Sequence, residues 1–293
     1  MIGTMASLVA VTGGNGFVGS RVCESLVERG ARVRAVVRRP GTAPSLEGVE
    51  ELVGDFTDPD VAATLVDGAD AVVTTVHPMG SDRETQARIG VDGTATVARA
   101  AAGAGVQRLV HISTAAVYDR SPGVGDVDES SALVPDGAGA YAVTKRDADL
   151  AIAEVSGLTR VLLRPPAILG AGPTSVWNTL RPTEMRDDEK ARTTVPDAAF
   201  NWVHVDDLAA LTADLAVGRI AAPEGCTAVN VCAGAGSHRD YYETVTRAVG
   251  VEPAWTDGPA WTGQIVATRA RAWGWAPCVD LTRALAEIEA GLA

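Results

Sequence analysis

No stretch of this 293-residue chain stays apolar long enough to cross a bilayer, and its start lacks the basic-then-apolar pattern of a secretory signal. A cytoplasmic protein without membrane partners is expected, with Met1 to Ala6 a short leader and Met5 an alternative start. Basic charge is also short: 25 Lys and Arg stand against 37 Asp and Glu, a net charge of −12. That excludes a protein that grips nucleic-acid phosphates, which needs clustered cations. Cysteine is scarce and scattered. Cys23, Cys226, Cys232 and Cys278 form no CxxC pair and cluster with no histidines, so no disulfide framework and no metal site is expected, only buried thiols in a reducing compartment. Repeats and low-complexity tracts are absent. What remains, 46% hydrophobic and 21% charged, is the make-up of a globular protein.

The apolar run Leu8 to Val11 ends at once in Thr12-Gly13-Gly14-Asn15-Gly16-Phe17-Val18-Gly19 and passes into an amphipathic stretch, Ser20 to Arg29. This reads as a buried strand turning tightly into a helix whose first amides are open. Glycines at 13, 16 and 19 permit the sharp turn, let a pyrophosphate lie against bare backbone, and let the helix sit close to the sheet. The helix N-terminus supplies oriented N–H groups and a partial positive charge. Gly13, Asn15, Gly16, Phe17, Val18 and Gly19 are therefore the expected contacts of a dinucleotide. A second strand, Ala31 to Val37, completes the unit and separates this reading from that of a purely structural turn.

Strands near 7–12, 31–37, 50–53, 70–75, 107–113 and 159–164 alternate with helices near 17–29, 59–66, 82–104 and 139–156. That alternation predicts an α/β fold, a Rossmann-type doubly wound parallel sheet with a small C-terminal substrate-binding lobe. The nucleotide domain is expected over 1–165 and the lobe mainly over 166–293, with some segments returning to the core sheet. After Arg164 the rhythm breaks at Pro165, Pro166, Gly170, Gly172 and Pro173, and a charged segment, 184–192, reads as a solvated loop or a lid. All six tryptophans follow this break. Trp177 and Trp202 flank segments expected to line a substrate cleft, while the others read as core. Asp206 and Asp207 open an apolar helix and read as capping acids, with His204 structural.

A dinucleotide site normally carries an acid about 20 residues beyond its glycines to bind the adenosine ribose. Here the second strand ends in Val37-Arg38-Arg39-Pro40, with two guanidinium groups and no carboxylate. Arginine suits a 2′-phosphate, which a carboxylate would repel, so NADP(H) is the expected cofactor and Arg38 a contact. The competing reading is a pair of solvated arginines on an exposed loop. Asp55 and Phe56 follow the third strand, where they fall near the adenine, and Thr75 and Val76 follow the fourth, beneath the pyrophosphate. His77 comes next and is a candidate to face the substrate.

The chemistry is carried by Tyr141-Ala142-Val143-Thr144-Lys145 at the start of a helix, with His111-Ile112-Ser113-Thr114 at a strand end before it. Four residues is about one helical turn, so the phenol and the ammonium point the same way. A neighbouring cation favours phenolate and brings a tyrosine down from about 10 toward the working range of a general acid or base. Lys145 also suits the nicotinamide ribose, and Thr114 suits hydrogen bonding to the substrate oxygen.

The segments TGGNGFVG (12–19), GDFTD (54–58), YAVTK (141–145), LRPPAILGAGP (163–173), NWVHVDDLA (201–209) and NVCAG (230–234) make the chain resemble the extended short-chain dehydrogenase/reductases, the NAD-dependent epimerase/dehydratase group. The resemblance implies Thr114, Tyr141 and Lys145 as the catalytic triad, and Pro165 and Ile168 at the nicotinamide end. It also implies transfer of the pro-S hydride and a homodimer through the helices near 82–104 and 139–156. Departures bear on the substrate. Pro166-Ala167-Ile168 stands where nucleotide-sugar members often carry an Asn, and Ala115 and Ala116 stand where sugar dehydratases carry an acid. An NADPH-dependent carbonyl reductase, or the reverse alcohol dehydrogenase, of a small to medium organic molecule is the expected activity. The alternatives are a nucleotide-sugar epimerase or dehydratase that retains its cofactor, and a non-catalytic NADP sensor.

Overall fold

A computed structural model describes residues 6–292, so most of the leader, Met5 included, lies outside the described residues. The strands in chain order are β1 (Leu8–Thr12), β2 (Arg32–Val37), β3 (Val49–Val53), β4 (Ala71–Thr74), β5 (Arg108–Ile112) and β6 (Thr159–Arg164), followed by β7 (Ala167–Leu169), β8 (Thr193–Thr194), β9 (Ala199–His204), β10 (Cys226–Asn230), β11 (Gly234–Ser237) and β12 (Ala254–Trp255). Two compact units divide the chain: 1–117, 133–164 and 209–229 form the first, and 118–132, 165–208 and 230–293 the second.

The first unit holds a seven-stranded parallel sheet in the order β10-β6-β5-β4-β1-β2-β3. β1 is central, with Val11 paired to Ala35 of β2 and to Val73 of β4. Helices Phe17–Glu28, Pro59–Val66, Thr94–Gly103 and Ala140–Ala153 flank the sheet. Where both faces are covered the strands are continuous apolar runs: β1 and β4 are buried at every position, whereas the edge strand β3 exposes Glu50 and Glu51. Asp58 starts the helix Pro59–Val66 by accepting from the Asp60 N–H, with Pro59 in the first turn.

The helix expected near 82–104 departs from plain α geometry. Arg83–Gln86 is α-helical, Ala87–Gly93 widens into a π-helix, and Thr94–Gly103 returns to α. Two glycines explain how the wide turn packs. A side chain on Gly90 would meet the His77 ring at 2.7 Å, and one on Gly93 would meet Thr57 at 2.6 Å.

In the second unit β9 lies between β7, parallel to it, and β11, antiparallel to it, while β8 and β12 form a separate short pair. Met185, Phe200, Trp202, Tyr241, Tyr242 and Ile288 belong to its core. The charged segment 184–192 is not a loop. It lies in the helix Arg181–Asp187 and the 3₁₀ turn Glu189–Arg192, and the fully buried Met185 draws it inward despite its charges. Asp207 does more than start a helix, since its carboxylate accepts the Cys278 and Val279 N–H groups at 2.8 and 3.2 Å. Cys278 is exposed, contrary to the expectation of buried thiols. Among the described residues no helix is long and apolar enough to cross a membrane, and no group of three acids, histidines or cysteines could hold a metal ion.

Candidate active site

The glycine turn closes on itself at the carboxyl end of β1. Gly16 N–H donates to Gly13 O at 2.9 Å, and Gly13 holds a φ of +73°, a left-handed conformation that favours glycine. A Cβ on Gly19 would stand 2.0 Å from Gly13 O, and one on Gly13 would stand 2.5 Å from Thr75 Oγ1 and 2.8 Å from Val76. Helix and strand therefore meet backbone to backbone. Gly16 caps the helix Phe17–Glu28 without a side-chain hydrogen bond, and its first turn contains no acid. Uncovered N–H groups, a dipole free of carboxylates and bare backbone are what a pyrophosphate needs, so these residues fit a dinucleotide. Thr75 secures the floor, its hydroxyl donating to Thr12 O at 2.8 Å.

At the ribose end Arg38 and Arg39 are exposed just past β2. The acid on the neighbouring strand, Glu51, is already engaged: its carboxylate accepts the N–H groups of Gly41, Thr42 and Ala43, which hold it below the usual carboxylate range. Asn15 reaches the same loop, donating to Thr42 Oγ1 at 3.4 Å. Asp55 spends Oδ1 on the Thr57 N–H and hydroxyl, and these bonds lower its pKa, with Arg38 adding a smaller pull. Phe56 is buried in the core cluster with Ala62, Leu65 and Val97.

Tyr141 and Lys145 stand one turn apart at the start of the helix Ala140–Ala153. Lys145 is buried, and its ammonium donates to Ile112 O at 2.6 Å, which ties it to the end of β5. Burial pulls Lys145 down to about 8, against the attraction of Asp149. Thr114 follows β5, also buried, and its oxygen accepts the Ala116 N–H, which leaves the hydroxyl hydrogen to donate elsewhere. The His77 ring lies edge-on to Tyr141, and Gln86 and Thr144 surround its Nε2. Burial, with Lys145 adding to it, lowers His77 to about 4, so at neutral pH it is uncharged.

Sequence reasoning missed a buried layer under Lys145. Asp149 accepts from Arg164 Nε at 2.9 Å, and His111, given no role from sequence, binds Thr74 Oγ1 through Nδ1 at 2.8 Å. The spacing Tyr141, Lys145, Asp149 carried a signal for the first of these, because residues four apart share a helix face.

The remaining expected residues belong to the second unit. Ile168 lies on β7 opposite Val203, and Pro165 is buried just before it. Trp177 packs edge-on against Phe200 and Tyr241, with ring centroids 5.3 Å away in each case, under the Arg181 guanidinium. Trp202 is buried in the core of this unit with its indole N–H unpartnered.

The profile of a family described as NAD(P)H-binding matches residues 13–206. A 3 beta-hydroxysteroid dehydrogenase/Delta 5-->4-isomerase of Mycobacterium tuberculosis is 34% identical over 184 residues, 59% of this chain and 50% of that protein. A 4-hydroxy-2-methyl-3-oxo-4-farnesyl-3,4-dihydroquinoline-1-oxide ketoreductase of Stigmatella aurantiaca is 35% identical over 172 residues, 56% of this chain and 51% of that protein. The chain thus spans about half the length of the curated relatives it matches. Among solved structures, the Bordetella bronchiseptica enzyme WbmH in complex with NAD+ superposes with a TM-score of 0.80 at 22% identity, covering 98% of each chain. Glycine turn, parallel sheet and profile agree: the chain belongs to the NAD(P)H-binding family and has the fold of the extended short-chain dehydrogenase/reductases.

Proposed function

We propose that the protein is an NADPH-dependent carbonyl reductase, or the corresponding alcohol dehydrogenase, acting on a small to medium, largely apolar organic substrate in the cytoplasm, with Tyr141 as the proton donor. The observation that carries this reading is the Tyr141 and Lys145 pair on one helical turn, with the ammonium anchored to the end of β5 immediately before Ser113 and Thr114. A sensor would have no use for that set. The relatives support carbonyl or hydroxyl chemistry, since two of them are named as a 3 beta-hydroxysteroid dehydrogenase and a ketoreductase.

NADPH supplies the hydride when bound. Gly13, Asn15, Gly16, Phe17, Val18 and Gly19 hold its phosphates, and Arg38 pairs with the 2′-phosphate. Asp55, Thr75 and Val76 would complete the cofactor cleft. Thr114 donates a hydrogen bond to the carbonyl oxygen, where negative charge grows in the transition state. Tyr141 passes its phenolic proton to that oxygen, and the Lys145 ammonium stabilises the phenolate left behind. Two chains form a dimer through the helices around 82–104 and 139–156.

The test is a spectrophotometric comparison of NADPH and NADH with ketones, aldehydes and nucleotide sugars. Ketone-dependent loss of NADPH is expected, and Tyr141→Phe should bind NADPH normally while turnover falls at least ~100-fold. Conversion of nucleotide sugars alone, without net loss of reduced nicotinamide, overturns the reading in favour of an epimerase or dehydratase.

A further inference from the structure

Under the Tyr141 and Lys145 pair lies a buried charged layer that the reaction itself does not use. Lys145, Asp149, Arg164 and His111 are each no more than 6% exposed. Burial pushes the Asp149 carboxyl up, and Arg164, the Ser113 hydroxyl and Lys145 pull it back toward the charged form. Arg164, at the end of β6, gives Nε to Asp149 Oδ2 at 2.9 Å. The other carboxylate oxygen, Oδ1, has no hydrogen-bond partner and lies 4.0 Å from His111 Nε2, which has none either. The second nitrogen of His111 is occupied by Thr74, and burial, with Lys145 adding to it, keeps that imidazole well below its usual range.

A buried ammonium without an opposite charge is expensive and tends to lose its proton. The groups facing Lys145 can be named element by element. Its own helix presents Tyr141 and Asp149, β5 presents His111, and the segment after β4 presents His77, while Arg164 of β6 lies on the far oxygen of Asp149. Both histidines are neutral, and Arg164 is engaged with the far oxygen of the carboxylate, so Asp149, one turn along the same helix, is the group that attracts the ammonium. The Ser113 hydroxyl is the other neutral group beside this carboxylate.

We propose that Asp149 is a positioning residue of the site: it is the counter-ion through which buried Lys145 stays charged and directed at the end of β5, and it divides that service between Lys145 and Arg164. The kinetic consequence rests on the proposed reductase reading; the electrostatic one does not. Loss of the Asp149 charge should discharge Lys145 and, with it, the stabilisation of the Tyr141 phenolate.

The protein allows a direct test, because Lys145 and Lys190 are its only lysines. In full-length protein labelled with [ε-¹³C]lysine, an NMR pH titration gives two signals, assigned with Lys190→Arg, and exposed Lys190 is the internal control. Lys145 is expected to titrate near about 8 in the wild type. In Asp149→Asn its midpoint should fall by about one pH unit or more, a tenfold loss of the charged form, with Lys190 unmoved, while Asp149→Glu should recover most of it. A Lys145 midpoint within 0.3 of wild type in Asp149→Asn overturns the proposal. Should Asp149→Asn not fold by circular dichroism, Asp149→Ser serves instead with the same reading: a fall of about one pH unit or more in the Lys145 midpoint is expected, and a midpoint within 0.3 of wild type overturns the proposal. In the kinetic arm, the alkaline limb of kcat/KM for NADPH-dependent reduction should move down with the NMR midpoint. Absence of any reductase activity in wild type would remove the functional reading and leave the NMR result standing.

Discussion

The His77 ring meets Tyr141 edge-on, with ring centroids 5.1 Å apart and planes at 84°. Gln86 fixes the histidine from the other side. Its amide nitrogen donates to Ser81 O at 2.7 Å, so its Oε1, 3.1 Å from His77 Nε2, must accept, and the neutral imidazole carries its hydrogen on Nε2. The contact therefore locks the ring that carries the proposed proton. Replacing His77 by Ala should cut kcat roughly tenfold and leave NADPH binding within twofold, whereas His77→Phe, which keeps a ring edge, should retain most of the activity. Steady-state kinetics with fluorescence titration of NADPH separates the two, and equal losses in both variants would contradict the packing role.

The same histidine makes the fold acid-sensitive. Folded His77 takes a proton only near about 4, and burial holds His111 well below its ordinary range, whereas unfolded histidine takes it near about 6.5. Between those values the unfolded chain binds more protons, so the stability is complete above pH 6.5 and declines as pH falls toward 4. The loss from His77 is on the order of 2–3 kcal/mol. Urea midpoints measured from pH 7 to 4.5 should fall steadily, and a flat profile would show that these rings are not buried neutral.

Gly19→Ala should abolish NAD(P)H binding and lower Tm, because the new methyl would stand 2.0 Å from Gly13 O, a backbone atom that has nowhere to move. Gly103→Ala, at the end of the helix Thr94–Gly103 with nothing within 4 Å, should instead stabilise by about 0.4–1 kcal/mol. Cofactor fluorescence and thermal melts read both; a Gly19→Ala protein that still binds cofactor would refute the close approach.

The proposed preference for NADPH rests on Arg38 and Arg39. Arg38→Ala should raise KM for NADPH about tenfold with little change for NADH, and Arg38→Asp should favour NADH. Equal effects on the two cofactors would show that the guanidinium reads something other than a 2′-phosphate.

Much of this protein is legible along the chain because its signals are local. The run Leu8 to Val11, the glycines at 13, 16 and 19, and the four-residue step from Tyr141 to Lys145 each express a geometry of one strand, one turn or one helix. They were enough to read the parallel α/β fold class, six of the seven strands of its sheet and the helix beginning near 139, but not the seventh strand, Cys226–Asn230. Local rules failed where packing partners decide the conformation: the π-helix Ala87–Gly93 follows from what Gly90 and Gly93 must lie against, and 184–192 became helical because Met185 found a core.

The sequence by itself determined the alternation of elements, the nucleotide turn and the residue types of the chemistry, since these depend on periodicity and spacing alone. Only the tertiary structure decided that His111 of β5, Asp149 of a helix and Arg164 of β6 would share one buried layer under Lys145. Those contacts depend on which strands become neighbours in the sheet, and strand order is set by the packing of the whole unit, a quantity no short window of sequence contains.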